Sequence, residues 1–125
     1  MRTGVLLSIK PEYSQAIFSG KKAFEFRKSI FKERSVNKVY VYESMPTGKV
    51  VGEFEIENII SKDPEDLWAE TSDFSGITKE FFDEYFKDRR LGHALKVKNA
   101  KKYQNPKSLE DMFNIKHPPQ SFRYV

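Results

Sequence analysis

Lys22, Glu25 and Arg27 fall within one short stretch, Gly20-Lys21-Lys22-Ala23-Phe24-Glu25-Phe26-Arg27. An ammonium, a carboxylate and a guanidinium this close give two fixed cations and one acceptor, a set able to grip a phosphate and one base edge. If the stretch is a strand, alternation puts Phe24 and Phe26 on one face and Ala23, Glu25 and Arg27 on the other. The Phe face can then enter a core while Glu25 and Arg27 stand side by side. Lys22 lies at the start of the strand, where a turn can aim it at the same cleft. Gly20 ends the preceding helix, since glycine takes positive φ without steric cost. On spacing alone the commoner outcome is a surface Glu–Arg pair on an edge strand, worth little energetically.

Other side chains suit the same chemistry. Ser44, Gln120 and Ser121 are candidates for polar contacts, and a Gln amide offers a donor and an acceptor to a base edge. Lys96, Lys98, Lys101 and Lys102 belong to a stretch, 96–107, with five lysines and no acid. A basic strand of this kind can track a phosphate backbone; an edge strand guarded by lysines against aggregation has the same sequence. Trp68 fits a core anchor better than a base-stacking platform. Phe81, Phe82, Tyr85 and Phe86 have helical spacing and read as core.

The elements that must position these residues follow in order. Residues 4–10 read as a buried strand, and Pro11 opens a short helix that closes at Gly20. The strand through Phe24 and Phe26 leads into 28–37, a loop carrying Lys28, Lys32 and Arg34, either a connector or a flap over the site. Residues 38–44 and 49–57 pair as a hairpin about the turn at Met45-Pro46-Thr47-Gly48, with Gly52 marking a bulge or a close backbone approach. Asp63-Pro64 starts one helix and Thr78 a second, with a break at Ser75-Gly76. A strand at 92–98, one helical turn near 108–113 and a closing strand after Pro118-Pro119 complete the chain. Short strands with such insertions suggest an α+β fold, a small, partly closed mixed β-barrel with short helices at its mouth.

Composition narrows the classes. At 125 residues the chain is expected to form one domain, 1–125. Segment 61–90 carries nine acids and five bases, so the helical part is acidic and the remainder strongly basic. A basic face suggests a polyanion, RNA or single-stranded DNA, as partner. There is no cysteine, which excludes disulfides and thiolate metal sites and fits a reducing cytoplasm. Two distant histidines, His93 and His117, make a metal enzyme an unattractive reading. No signal peptide or membrane span is legible. No P-loop, GxSxG elbow, HExxH or dinucleotide fingerprint is present, so no metal and no cofactor is expected.

Four motifs in this order resemble a known family: Leu6-Leu7-Ser8-Ile9-Lys10-Pro11, Gly20-x-Lys22-x-x-Glu25-x-Arg27, Tyr42-x-Ser44, and Gly52-Glu53-Phe54. They look like the ASCH domain of the PUA-like superfamily, and Pro118-Pro119-Gln120-Ser121-Phe122 is similar to its small stand-alone prokaryotic members. The resemblance implies a PUA-like barrel with a cleft lined by the signature residues, an RNA partner or a free nucleotide, and a nucleic-acid-binding role. It turns the Glu25–Arg27 pair into the favoured site. The family also contains hydrolases. Its acetylcytidine amidohydrolases use a lysine that falls on Lys22 and a threonine whose place is taken here by Glu25, which cannot be a hydroxyl nucleophile. A ribonuclease-like hydrolase would instead use Lys22 to stabilise phosphorane charge and Glu25 as base.

Overall fold

The computed structural model describes residues 4–125, which form six strands and four helices. β1 (Gly4–Ile9) leads through Pro11 into α1 (Pro11–Phe18). β2 (Phe24–Arg27), β3 (Lys38–Glu43) and β4 (Lys49–Lys62) follow. α2 (Pro64–Thr71) and α3 (Lys79–Tyr85) are separated by a single 3₁₀ turn. β5 (Gly92–Lys107), α4 (Leu109–Phe113) and β6 (Phe122–Tyr124) end the chain. The three later helices each have a side-chain cap: Asp63 accepts from the Asp66 amide, Thr78 from Phe81 and Ser108 from Asp111.

The strands lie in the order β2-β5-β4-β3-β1-β6. β1 and β3 are parallel, with α1 and β2 in the intervening chain, and every other pair is antiparallel. The sheet is a half-barrel whose two edge strands are β2 and β6. Arg27, the last residue of β2, donates through Nη2 to the Ser121 carbonyl at 2.7 Å, directly before β6, and so bridges the open seam. The loop at 28–37 does not hang free there. Its Phe31 is buried against Phe122 and Tyr124, and the Tyr124 hydroxyl accepts from the amides of Lys32 and Glu33.

Apolar residues fill both sides of the sheet. Val5, Leu7, Val39, Val41, Phe54 and Leu95 pack on one side. On the other, Phe24, Phe26 and Ala94 pack under α2 and α3 with Leu67, Phe82 and Phe86, and Leu6, Tyr42 and Val50 pack under α4.

Two elements run past their expected ends. β4 continues to Lys62 and β5 to Lys107, because register shifts between Val50 and Gly52, Glu53 and Glu55, and Ile56 and Ile59 break the alternation that marks a strand in sequence. Gly52 sits at one of these irregularities, where a Cβ would meet the Lys101 carbonyl at 2.5 Å and the Phe18 ring at 2.5 Å. β2 pairs with β5 only over 93–96, so beyond Val97 the β5 ladder runs to β4 alone.

Candidate functional site

The chain reaches Lys22 through a tight reversal after α1. Gly20 takes φ +85°, and the amides of Lys21 and Lys22 both donate to the Ala16 carbonyl. Ala23 is then fixed at both backbone groups, to Phe74 and to Val97. This turn directs Lys22 inward, and the residue is only 3% exposed. Its Nζ donates to the Ser75 carbonyl at 2.8 Å and lies 4.7 Å from the Phe26 ring centroid and 5.5 Å from that of Tyr13. Burial disfavours the ammonium and lowers its pKa to about 8, with Glu25 pulling in the opposite direction.

Glu25 is 6% exposed. Burial raises its pKa above the usual carboxyl value, opposed chiefly by Arg27 and then by Lys22. Arg27 Nη1 lies 3.2 Å from Glu25 Oε2 while Nη2 holds the Ser121 carbonyl. One planar guanidinium thus orients the carboxylate and anchors the closing segment. Ser8 Oγ donates to the Pro119 carbonyl at 2.7 Å, so β1 fixes that segment from its other side.

These groups share a cleft of about 300 Å³. Lys22, Glu25, Arg27 and Gln120 line it, and Ser121 adjoins it through Arg27. Ser44 is not among the lining residues; it caps the end of β3, where its amide donates to Ile9. Lys96 and Lys98 lie on β5, where Lys96 pairs with Phe24 of β2 and Lys98 with Glu55 of β4; neither is among the lining residues.

Sequence reasoning missed the aromatic and apolar part of the lining: Tyr13, Ile77, Phe81 and Tyr85. The aromatic run of α3 was read entirely as core, and that reading is half right. Phe82 and Phe86 are buried, whereas Phe81 is 38% exposed and faces the cleft with Tyr85. The run contains two i,i+4 pairs on adjacent helix faces; Phe82 and Phe86 enter the core, while Phe81 and Tyr85 line the cleft and Tyr85 also donates its hydroxyl to the Phe26 carbonyl. Phe81 and Tyr85 stack with centroids 6.2 Å apart and planes within 12°, and Phe81 also packs on Tyr13 at 5.5 Å. Ser8 and Lys10, within the first quoted motif, line the cleft as well.

Such a cleft combines flat aromatic surfaces with a buried donor and a buried acceptor, the features that hold a planar heterocycle with polar edges. Among the described residues, no three His, Asp or Glu side chains converge as a metal site would need. No helix among them is long and apolar enough to cross a membrane.

Comparison with known proteins places this architecture. Residues 2–117 match the family described as "Domain of unknown function (DUF365)". The chain is 34% identical over 124 residues to the large ribosomal subunit protein uL22 of Ureaplasma parvum, a match covering 97% of this chain and 39% of that protein. It thus spans about two-fifths of that relative's length. It is 26% identical over 127 residues to an ASCH domain-containing ribonuclease of Zymomonas mobilis, covering 99% of this chain and 85% of the relative. The crystal structure of ASCH from Zymomonas mobilis superposes with a TM-score of 0.89 at 26% identity, over 100% of this chain and 89% of that one. The N-terminal domain of Staphylothermus marinus McrB shares the fold alone, with a TM-score of 0.55 at 14% identity over 90% of this chain and 82% of that one. The half-barrel with its short helices is the PUA-like ASCH architecture. The chain belongs to the family described as "Domain of unknown function (DUF365)" and is an ASCH-domain protein.

Proposed function

We propose that this chain is a single-domain RNA-binding module that holds one nucleotide of a single strand in the Lys22–Glu25–Arg27 cleft. The observation that carries the reading is the meeting of Phe81, Tyr85 and Tyr13 with buried Lys22 and Glu25 in one cavity of about 300 Å³. The aromatics stack on the base. Lys22 has one of its three N–H groups on Ser75 and directs the remaining donors to base or phosphate acceptors. Glu25 has one oxygen on Arg27 and offers the other to an exocyclic amine. Arg27, with both guanidinium nitrogens engaged, supplies positive field and holds Ser121 and Gln120 in position. The ribonuclease name of the Zymomonas relative favours RNA over DNA as the polyanion.

Binding of short labelled RNAs, DNAs and nucleoside monophosphates at low and moderate salt tests this. RNA binding that weakens in Lys22→Met and Glu25→Gln, with both variants folded, is the expected result. Equal binding in wild type and both variants would remove the cleft from the account.

A second reading, ribonuclease-like RNA cleavage by transesterification, is favoured by the juxtaposition of Glu25 with a lysine of pKa about 8. In it Glu25 takes the proton of a ribose 2′-hydroxyl as that oxygen attacks the adjacent phosphorus. Lys22 returns a proton to the departing 5′-oxygen, leaving a cyclic phosphate and a 5′-hydroxyl. Product analysis after long incubation separates the two readings, since a pure binding module returns the RNA intact.

A further inference from the structure

Carboxylates stand beside some of the lysines most conspicuous in the sequence. Lys98 and Lys101 face Glu55 and Glu53 across the β4–β5 ladder, and Lys96 Nζ lies 2.9 Å from Glu57 Oε2. Facing charges of opposite sign largely cancel beyond a few ångströms of water and salt. Three glutamates of β4, Glu53, Glu55 and Glu57, thus offset part of the charge of the five lysines of 96–107, and Glu53 is itself paired with Lys38.

A second set of cations reaches the cleft, one of them over Tyr85 in its lining. Lys28, Arg34 and Arg89 are exposed, and among the described residues none forms an ion pair. They come from distant stretches, yet the fold gathers them. Arg89 Nη2 donates to the Lys28 carbonyl at 3.3 Å. Lys28 Nζ stands 4.8 Å from the ring centroid of Tyr85, which lines the cleft. Arg34 shares a shallow second cavity of about 390 Å³ with Asn37, Glu57, Asn58 and Ser61. Ser61 Oγ lies 2.7 Å from His93 Nδ1, and His93 is the ladder partner of Arg27. Burial and the nearby Arg34 and Arg89 hold the His93 pKa below its ordinary value, so the imidazole is neutral at pH 7 and adds a hydrogen-bonding group. Of the neighbouring carboxylates, Glu33 accepts from Ser35, and Glu57, which lines the same cavity as Arg34, is neutralised by its pair with Lys96.

A continuous line of donors therefore leaves the cleft over Tyr85 and Lys28 and passes Arg89 to the His93–Ser61 pair and Arg34. We infer that Lys28, Arg34 and Arg89, with the His93–Ser61 pair, form a second phosphate subsite along which a single-stranded RNA exits the nucleotide cleft. This rests on the reading of the cleft as a nucleotide site. It commits to a single strand because a base paired in a duplex cannot enter the cleft while its neighbours follow this line.

Two triple variants remove equal charge and test the inference on the full chain: Lys28→Gln/Arg34→Gln/Arg89→Gln, and Lys98→Gln/Lys101→Gln/Lys102→Gln. Each is titrated with a labelled single-stranded RNA hexamer, an RNA duplex and a nucleoside 5′-monophosphate. The first variant is expected to lose about tenfold or more in hexamer affinity at low salt, with the salt slope shallower by about 2, as for three lost phosphate contacts on a single strand. Its monophosphate affinity stays within about twofold, and the second variant keeps hexamer affinity within about twofold, a small change beside the counterion term. Equal or greater loss in the second variant, or a duplex bound as tightly as the hexamer, overturns the inference. So does an unchanged first variant, while hexamer loss in Glu25→Gln would show that the cleft reading stands regardless. A wild type that binds neither hexamer nor monophosphate overturns both.

Discussion

Arg27 and Ser121 join the two edges of the sheet: the guanidinium Nη2 at the end of β2 lies 2.7 Å from the carbonyl just before β6. The same side chain holds Glu25 through Nη1. A planar fork makes the two contacts from two separate nitrogens, whereas a lysine would have to make both from one ammonium on a shorter stem. Arg27→Lys is therefore expected to keep the charge but lose about 2 kcal/mol of stability, the scale of a charged hydrogen bond lost from a partly buried site. RNA affinity should fall as well. Urea titration and binding on the same sample check this; a Lys variant equal to wild type in both would show that the bridge positions nothing.

Gly76 forms the bed of the Lys22 stem. A Cβ there would lie 2.6 Å from Lys22 Cβ and 2.7 Å from its Cγ, and the glycine has φ +71°. Gly76→Ala combines backbone strain with pressure on the lysine stem and is expected to cost about 1–2 kcal/mol. Affinity should drop more than in Gly52→Ala, which also crowds backbone but lies outside the cleft lining. Comparing the two variants by thermal melts and RNA titration separates a local effect on Lys22 from general destabilisation.

Lys22 makes stability depend on pH. Its folded pKa of about 8 lies below the unfolded value of 10.5, so the unfolded chain binds more protons between them and stability rises with pH across that window. Below pH 8 the cost of burying the ammonium reaches about 3 kcal/mol, offset in part by its bond to Ser75. Lys22→Met is expected to be more stable than wild type by about 1–2 kcal/mol at pH 7, a gain that disappears by about pH 10. Glu25 acts in the opposite sense: burial raises its folded pKa, so its contribution falls as pH rises through the carboxyl range. Denaturant midpoints of Lys22→Met and wild type at the two pH values decide the lysine case. A variant less stable than wild type at pH 7 contradicts it.

The two faces of α3 predict opposite phenotypes. Phe82 is fully buried, and Phe82→Ala is expected to cost about 3–5 kcal/mol of stability. Phe81 lies in the cleft mouth, and Phe81→Ala should leave stability within about 1 kcal/mol while weakening RNA binding by about 1–3 kcal/mol, the worth of one stacked base. Melting temperatures and affinities of the pair provide the check.

Much of this arrangement was legible in the sequence. Periodicity, caps and glycine stops give most of the elements, and the Gly-x-Lys-x-x-Glu-x-Arg spacing points to the cleft. Three things were hidden for physical reasons. The bulges in β4 and β5 destroy alternation, so both strands look shorter than they are. The Lys96–Lys107 stretch reads as uniformly basic because the glutamates that stand beside part of it lie some 40 residues away, in another strand. The aromatic wall was concealed because Phe81 and Phe82 are adjacent in sequence but stand on different helix faces, and composition alone does not say which face meets the sheet.

The central claim is that one nucleotide of RNA sits among Lys22, Glu25 and Phe81. Amide chemical-shift mapping during titration with an RNA hexamer tests it most directly. The account predicts saturable shifts concentrated at 21–28, 75–85 and 120–121, absent in Glu25→Gln at the same RNA concentration. Shifts confined to the β4–β5 ladder with the cleft amides unmoved, or no shifts at all, would contradict it.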